Sequence, residues 1–390
     1  MSPDIIFKAE VQQFIEDNKN EDTTKLALQT HRYSEIPMGF LLHQIQIRKK
    51  GKKKLPECLS NPYFVFPTKL NYEQCSSELT AKYKASLAKG DSLIDLTGGI
   101  GIDDVYFAKI MKSVVHVEQN EITSTFAKHN FKVLDIDNIS CITGQGEDQL
   151  NNNYDVIYLD PARRKEDKKI FRFEDCSPNP LELLEKLNSS AKQILIKASP
   201  LIELKTAITE LQTVTEIHVV SVKDEVKEII FLLEKSDQVE PTIKAINLDN
   251  DLAFTYTPNQ ELEAKVVLAK EIGTYLYEPL NALFKAGPYQ LISERFGIEK
   301  LGRHTHYYTS NKIINNFPGN IYKVKTVLPF SKKAKKLGIS QANVKTRNFK
   351  LTSAELKKYL NIKKDGGDTF IFGTSVGKEH VLIVGFRIKN

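Results

Sequence analysis

Residues 92–104 read SLIDLTGGIGIDD. A short apolar run ends near Asp95, and Thr97, Gly98, Gly99 and Gly101 follow before helical spacing resumes. Glycine is needed where the backbone takes a positive φ or where a ligand approaches the main chain closely. The turn is therefore a candidate cofactor loop between a strand and a helix. It does not complete the dinucleotide fingerprint, because G-x-G-x-x-G would need glycine at position 104, which is Asp104. Asp95 also suits a ligand with a cationic amino group better than one with a pyrophosphate.

Working outward, Val114–Glu118 reads as the next strand and ends in a carboxylate 23 positions after Asp95. In strand–helix–strand units an acid near this spacing meets ribose hydroxyls, and a carboxylate accepts from both the 2′ and 3′ hydroxyls. S-adenosylmethionine, with a ribose, an ammonium group and no phosphate, matches these demands. Farther on, YDVIYLDPARR (154–164) carries an apolar strand onto Asp160, Pro161, Ala162, Arg163 and Arg164. Further strands are expected at 140–143, 193–197, 216–222 and 229–233, with helices at 121–134, 180–189 and 201–211. This alternation predicts a parallel sheet covered by helices on both faces. The 229–233 strand is expected to run antiparallel, and 242–246 with 252–256 to form a hairpin that extends the sheet or starts a new unit.

The 390 residues allow two or three domains. A hydrophobic share of 41% and a charged share of 27% are those of an ordinary globular chain. No apolar run approaches a membrane span, and no secretory signal is visible, so a cytoplasmic protein is expected. Cys58, Cys75, Cys141 and Cys176 have no zinc-site spacing, so no metal is expected. The net charge of +6 permits an anionic partner without requiring one. Residues 1–50 show helical spacing, and Arg48–Lys54 reads as an exposed basic loop. From 276 onward basic and aromatic residues mix, as in Arg303-His304-Thr305-His306-Tyr307-Tyr308, and short alternating strands flank a helix at 353–360.

DLTGGIG, VEQN and LDPARR together resemble motifs I, II and IV of class I S-adenosylmethionine-dependent methyltransferases. More narrowly, YEQCSSELTAKYKA, IKASPL, YEPLNALFKAGPYQLISERFG and FPGNIYKV are similar to a bacterial family of methyltransferases, recognised from sequence, that carry a C-terminal THUMP-like domain. The resemblance implies an α/β fold: a Rossmann-like seven-stranded sheet, preceded by an N-terminal helical region and followed by a C-terminal α+β domain. The expected boundaries are 1–70 for the helical region, 71–275 for the methyltransferase domain, 276–318 for a small ferredoxin-like or linker subdomain and 319–390 for the THUMP-like domain.

The cofactor residues expected are Asp95, Thr97, Gly98, Gly99, Gly101 and Glu118. The resemblance adds Gln74, in a segment closing over the methionine end of the cofactor; on physical grounds that segment is a helix start capped by Ser76 or Ser77. At the acceptor, resemblance to amino-methyltransferases implies that the Asp160 side chain and the Pro161 carbonyl accept hydrogens from an exocyclic base amine. Those enzymes follow with a second proline and an aromatic, where this chain has Ala162 and Arg163. Arg163 could stack on a base, grip a phosphate or bond a base carbonyl. Lys197, at the end of a strand, either orients substrate or pairs with a carboxylate such as Asp160 or Asp175. Methylation at carbon 5 of uridine needs a cysteine nucleophile after the fifth strand, where Lys197-Ala198-Ser199-Pro200 stands. The expected function is methylation of a base in RNA, RNA being the partner implied by the THUMP-like resemblance and by the basic groups at 48–54, 163–169, 303–308 and 332–350. The alternatives are a methyltransferase of proteins or small molecules, or a non-catalytic RNA-binding module. The sequence does not indicate an oligomeric state.

Overall fold

The computed structural model describes residues 3–28, 36–151, 153–163, 172–237 and 240–388. The chain forms two compact units, Met1–Ile217 with Glu228–Val239, and His218–Lys227 with Glu240–Asn390.

The first unit is built on strands β1 (Ser92–Asp95), β2 (Ser113–Glu118), β3 (Ile139–Thr143), β4 (Tyr154–Leu159) and β5 (Ala191–Ala198), with the start of β6 (Val214–Val222) and the end of β7 (Glu225–Glu234), whose residues 218–227 belong to the second unit. Their order is β3-β2-β1-β4-β5-β7-β6. The pairs β3–β2, β2–β1, β1–β4 and β4–β5 are parallel, and β7 runs antiparallel to β5. Lys223 and Asp224, both at positive φ, make the two-residue turn into β7, as a tight hairpin demands. Val156, Ile157, Tyr158 and Leu159 are all buried, the mark of a strand covered on both faces.

Helices α1 (Ala9–Asp17), α2 (Met38–Gly51) and α3 (Glu78–Leu87) precede β1, and α4 (Ile102–Phe107), α5 (Glu121–Val133), α6 (Pro180–Ser190) and α7 (Leu204–Leu211) connect the strands. Local chemistry sets their starts. Ser77 caps α3 by accepting from the Thr80 amide, Asn120 caps α5, and Asn179 caps α6, with Pro180 opening the helix. In α5 the buried Asn130 exchanges two hydrogen bonds with the Val65 backbone, at 2.9 and 3.0 Å, pinning the segment before α3 to the sheet.

The basic run 48–54 is not an exposed loop. Arg48 lies at the end of α2, is 3% exposed, and donates to the carbonyls of Asn61, Pro62 and Phe64. Lys54 donates to the carbonyls of Tyr72 and Glu73. Both cations give backbone carbonyls of the following turns a charged donor.

The second unit contains the hairpin β8 (Thr242–Asn247) and β9 (Leu252–Tyr256). It also contains a sheet of β10 (Tyr275–Pro279), β11 (Glu299–Gly302), β12 (Thr305–Ser310), β13 (Gly319–Pro329), β14 (Asn343–Thr346), β15 (Thr369–Val376) and β16 (Glu379–Arg387), ordered β11-β12-β10-β13-β16-β15-β14. The long β13 pairs with β10 at its start and β16 along the rest, so one sheet runs through residues 275–387. Tyr307 and Tyr322 lie in its core with Phe372 and Ile383. Tyr307 and Tyr308 are 0% exposed, which removes them from the basic-aromatic surface expected at 303–308.

Candidate active site

Strand order reverses between β1 and β4, and a cleft opens at the carboxyl ends of such strands. Here it is a cavity of about 550 Å³. Asp95, Thr97, Gly98, Gly99, Gly101, Glu118, Gln74, Asp160 and Lys197 all line it. Of the remaining expected residues, Pro161 is buried beside it, with Ala162 on the wall. The Arg163 backbone pairs with Cys176 in a short antiparallel bridge; its side chain lies outside the described residues, as do all of residues 164–171.

The glycine turn is shaped from below. A Cβ on Gly98 would stand 2.3 Å from Cε1 and Nδ1 of His116, and one on Gly101, at φ +79°, would stand 2.2 Å from the Phe131 ring. His116 is fully buried and its Nδ1 lies 2.6 Å from Asp104 Oδ2. Burial pulls the imidazole pKa down and, with Asp103 nearby, pushes that of Asp104 well up. Burial and the neighbouring Asp104 likewise push Asp95 up.

Above the turn, the Glu118 carboxylate accepts from the Gly99 amide at 2.9 Å and the Asn120 amide at 2.6 Å. The ends of β1 and β4 are joined through Thr97. Its amide and hydroxyl donate to Asp95 Oδ1 at 2.7 and 3.1 Å, and its Oγ1 accepts from the Asp160 amide at 2.7 Å. Lys197 Nζ lies 2.5 Å from Asp160 Oδ2. Burial opposes the Lys197 charge, but Asp160, Glu228 and Asp103 outweigh it and raise the ammonium pKa.

A second polar group was not foreseen from the sequence. Asp103 faces the cavity, and its Oδ2 accepts from Ser76 Oγ at 3.0 Å and Tyr158 OH at 2.8 Å. The wholly buried Lys84 donates to both Glu228 oxygens at 3.0 and 3.1 Å and to Ser76 Oγ at 2.8 Å. It also stands 3.1 Å from Asp103 Oδ1. Only Asp103, directly after the glycine turn, has a signal in the sequence; Lys84 and Glu228 meet across 144 positions. Gln145 and Gly146, after β3, also line the cavity.

The parallel order 3-2-1-4-5 with an antiparallel β7 inserted before β6, and a glycine turn and acidic strand ends at one cleft, decide the fold. It is the class I methyltransferase fold. The methyltransferase unit is followed by segments that match two sequence families, described as a ferredoxin-like domain at residues 275–318 and as THUMP domain-like at 319–387. A crystal structure of a "putative methyltransferase" from Porphyromonas gingivalis W83 superposes over 100% of both chains, with a TM-score of 0.89 and 29% identity. The 23S rRNA (uracil(747)-C(5))-methyltransferase of Pyrococcus abyssi is 27% identical over 167 residues, 40% of each chain. The tRNA (uracil(54)-C(5))-methyltransferase of Pyrococcus horikoshii is 24% identical over 126 residues, 29% of this chain and 31% of the relative. The chain thus spans two fifths or less of the curated relatives it matches.

S-adenosylmethionine, the cofactor of this fold, fits the residues present. The cavity has the volume for a nucleoside joined to an amino acid, its carboxylates suit a cation, and Glu118 retains lone pairs for ribose hydroxyls. Among the described residues no group of three or more His, Cys, Asp or Glu could hold a metal ion, and no helix is long and apolar enough to cross a membrane.

Proposed function

We propose that this protein transfers a methyl group from S-adenosylmethionine to a base in RNA, with Asp160 and Pro161 at the acceptor. The observation that carries this reading is the Asp95–Thr97–Asp160 hydrogen-bond chain, which fixes the acceptor strand end against the cofactor turn in one cavity. The bound cofactor supplies an electrophilic methyl on a sulfonium. The chain's own residues must hold the acceptor in line, ~3–3.5 Å from that methyl, and exclude water. Lys197 holds Oδ2 of Asp160, and the other carboxylate oxygen accepts a hydrogen from an exocyclic amine; the Pro161 carbonyl takes the second. Drawing density onto the amine nitrogen in this way makes it more nucleophilic. Arg163 orients the anionic substrate. Asp95, Thr97, Gly98, Gly99, Gly101, Glu118 and Gln74 hold the cofactor. RNA as the substrate is supported by the THUMP-like match and by the names of the two archaeal relatives.

Those names favour a second reading, methylation at carbon 5 of uracil. That chemistry needs a thiolate to activate the ring. Among the described residues the cysteine lining the cavity is Cys75, and burial pushes its thiol up to about 11 despite the nearby Lys54. It is a poor thiolate at neutral pH, so the amine reading is preferred. Asp160→Ala should lower turnover by about 100-fold or more while S-adenosylhomocysteine affinity stays within a few-fold. Survival of turnover would remove Asp160 from the acceptor site.

A further inference from the structure

We propose that Phe284, in the second unit, and the groups packed on it form a stacking platform for an unpaired base of the RNA. The inference rests on the RNA reading and deepens it. Phe284 lies on a short helix, α8 (Asn281–Ala286), whose Ala282, Leu283 and Ala286 are buried. Phe284 itself is 38% exposed, so its ring is open to a ligand. The ring is nevertheless held in place. The Arg347 guanidinium lies over it, 4.6 Å from the ring centre, and over the buried Tyr307 ring at 4.9 Å. The rings of Tyr289 and His306 stand 3.7 Å apart, centre to centre, and 5.9 and 5.4 Å from that of Phe284. The Tyr289 hydroxyl donates to the Phe284 carbonyl at 2.7 Å.

Arg347 is fixed as firmly. Its amide donates to the Gly373 carbonyl at 3.0 Å, its Nη1 donates to the His306 carbonyl at 3.2 Å, and its Nη2 lies 3.5 Å from Glu278. Lys345 pairs with the same carboxylate, so two cations face one buried acid. Two other acids here are engaged by backbone amides, Asp224 by Asn281 and Glu261 by Gln290 and Leu291. A ring already backed by a guanidinium offers a π-surface with little ordering left to do on binding. Charge points to the partner. Residues 319–390 hold sixteen Lys and Arg against four Asp and Glu, a net of +12 in a chain whose total is +6. Such segregation attracts a polyanion, and a polyanion whose units carry flat rings is a nucleic acid. A paired base has its faces covered by its neighbours, so the platform fits a single strand or a loop.

The test measures binding of the full chain to a fluorescently labelled single strand of RNA of mixed sequence, and to an abasic strand of the same length, by anisotropy at one salt concentration. Phe284→Ala should weaken binding to the intact strand by about 5- to 100-fold, the loss expected for one stacked base. It should leave the affinities for the abasic strand and for S-adenosylhomocysteine unchanged. Phe284→Trp, which keeps a flat ring at the same place, should bind the intact strand at least as tightly as the wild type. A Phe284→Ala protein that binds the intact strand like the wild type, or that weakens on both strands alike, would overturn this inference alone. Unchanged RNA binding together with a smaller species in sedimentation would assign the face to a second copy of the chain, and would overturn it likewise. A wild-type protein that binds neither strand would overturn the RNA reading and this inference with it.

Discussion

Replacing Lys84 by methionine removes the one positive charge that three segments share. Its ammonium lies 3.0–3.1 Å from both Glu228 oxygens and 3.1 Å from Asp103 Oδ1, with Ser76 Oγ at 2.8 Å. Lys84 is 0% and Glu228 3% exposed, so water cannot replace the lost partner. Breaking a buried pair from one side costs about 3–5 kcal/mol, because the remaining charge is stranded. The variant Lys84→Met should therefore lose stability of that order in urea unfolding of the full chain, read as a shift in midpoint with the slope checked for change. The double variant Lys84→Met/Glu228→Gln should recover part of the loss, since both charges are then gone. The loss should also depend on pH. In the wild type Asp103 has a depressed pKa, so its contribution is present above the unfolded carboxylate pKa and fades as pH falls through the folded value. Without Lys84 that depression goes, so the gap between variant and wild type should hold from pH 7 down to about pH 4 and narrow below it. A loss below about 1 kcal/mol, or a double variant worse than the single one, would refute the buried-network account.

Other outcomes follow from the same geometry. Gly98→Ala puts a methyl 2.3 Å from the buried His116 ring, and should cost about 1–3 kcal/mol and weaken S-adenosylhomocysteine binding; unchanged affinity by calorimetry would separate the turn from the cofactor site. Glu118→Ala should weaken cofactor affinity by about tenfold through the lost ribose contacts, whereas an unaltered dissociation constant would exclude that role. Cys75, with its thiol pushed up to about 11, should react slowly with iodoacetamide at pH 7 and faster toward pH 10, and Cys75→Ser should retain methyl transfer; loss of transfer would instead favour carbon methylation. Arg48→Met should destabilise the first unit by about 3 kcal/mol or more, because three backbone carbonyls lose a charged donor; unchanged thermal unfolding would argue against that structural role.

The strands at the centre of the first unit were legible because apolar runs end in chemistry at short range. Leu93–Asp95, Val114–Glu118 and Val156–Asp160 each carry their own strand signal and their own polar terminus. Six of the expected cavity residues, Asp95, Thr97, Gly98, Gly99, Gly101 and Glu118, come from two such stretches, which is why they could be named together. What was not legible arises from distance along the chain. Lys84 meets Glu228, and Asn130 meets Val65, through contacts that no local pattern encodes. The basic run at 48–54 misled for a related reason: Arg48 and Lys54 resemble solvated charge in sequence, yet they donate to carbonyls of the following turns. Likewise, the aromatics at 307–308 stand beside basic residues in sequence, but their strand sits in mid-sheet with β10 and β11 on either side, and both rings are buried. The role of Gly98 was half visible. A close approach was evident, but that the approaching group is His116 from the neighbouring strand required the fold.

The most direct test of the central claim is to incubate the purified full chain with methyl-labelled S-adenosylmethionine and unmodified cellular RNA, and then digest the RNA to nucleosides. The account predicts label on an exocyclic nitrogen of one nucleoside, absent with Asp160→Ala. A folded protein that binds S-adenosylhomocysteine yet leaves every RNA nucleoside unlabelled would contradict it.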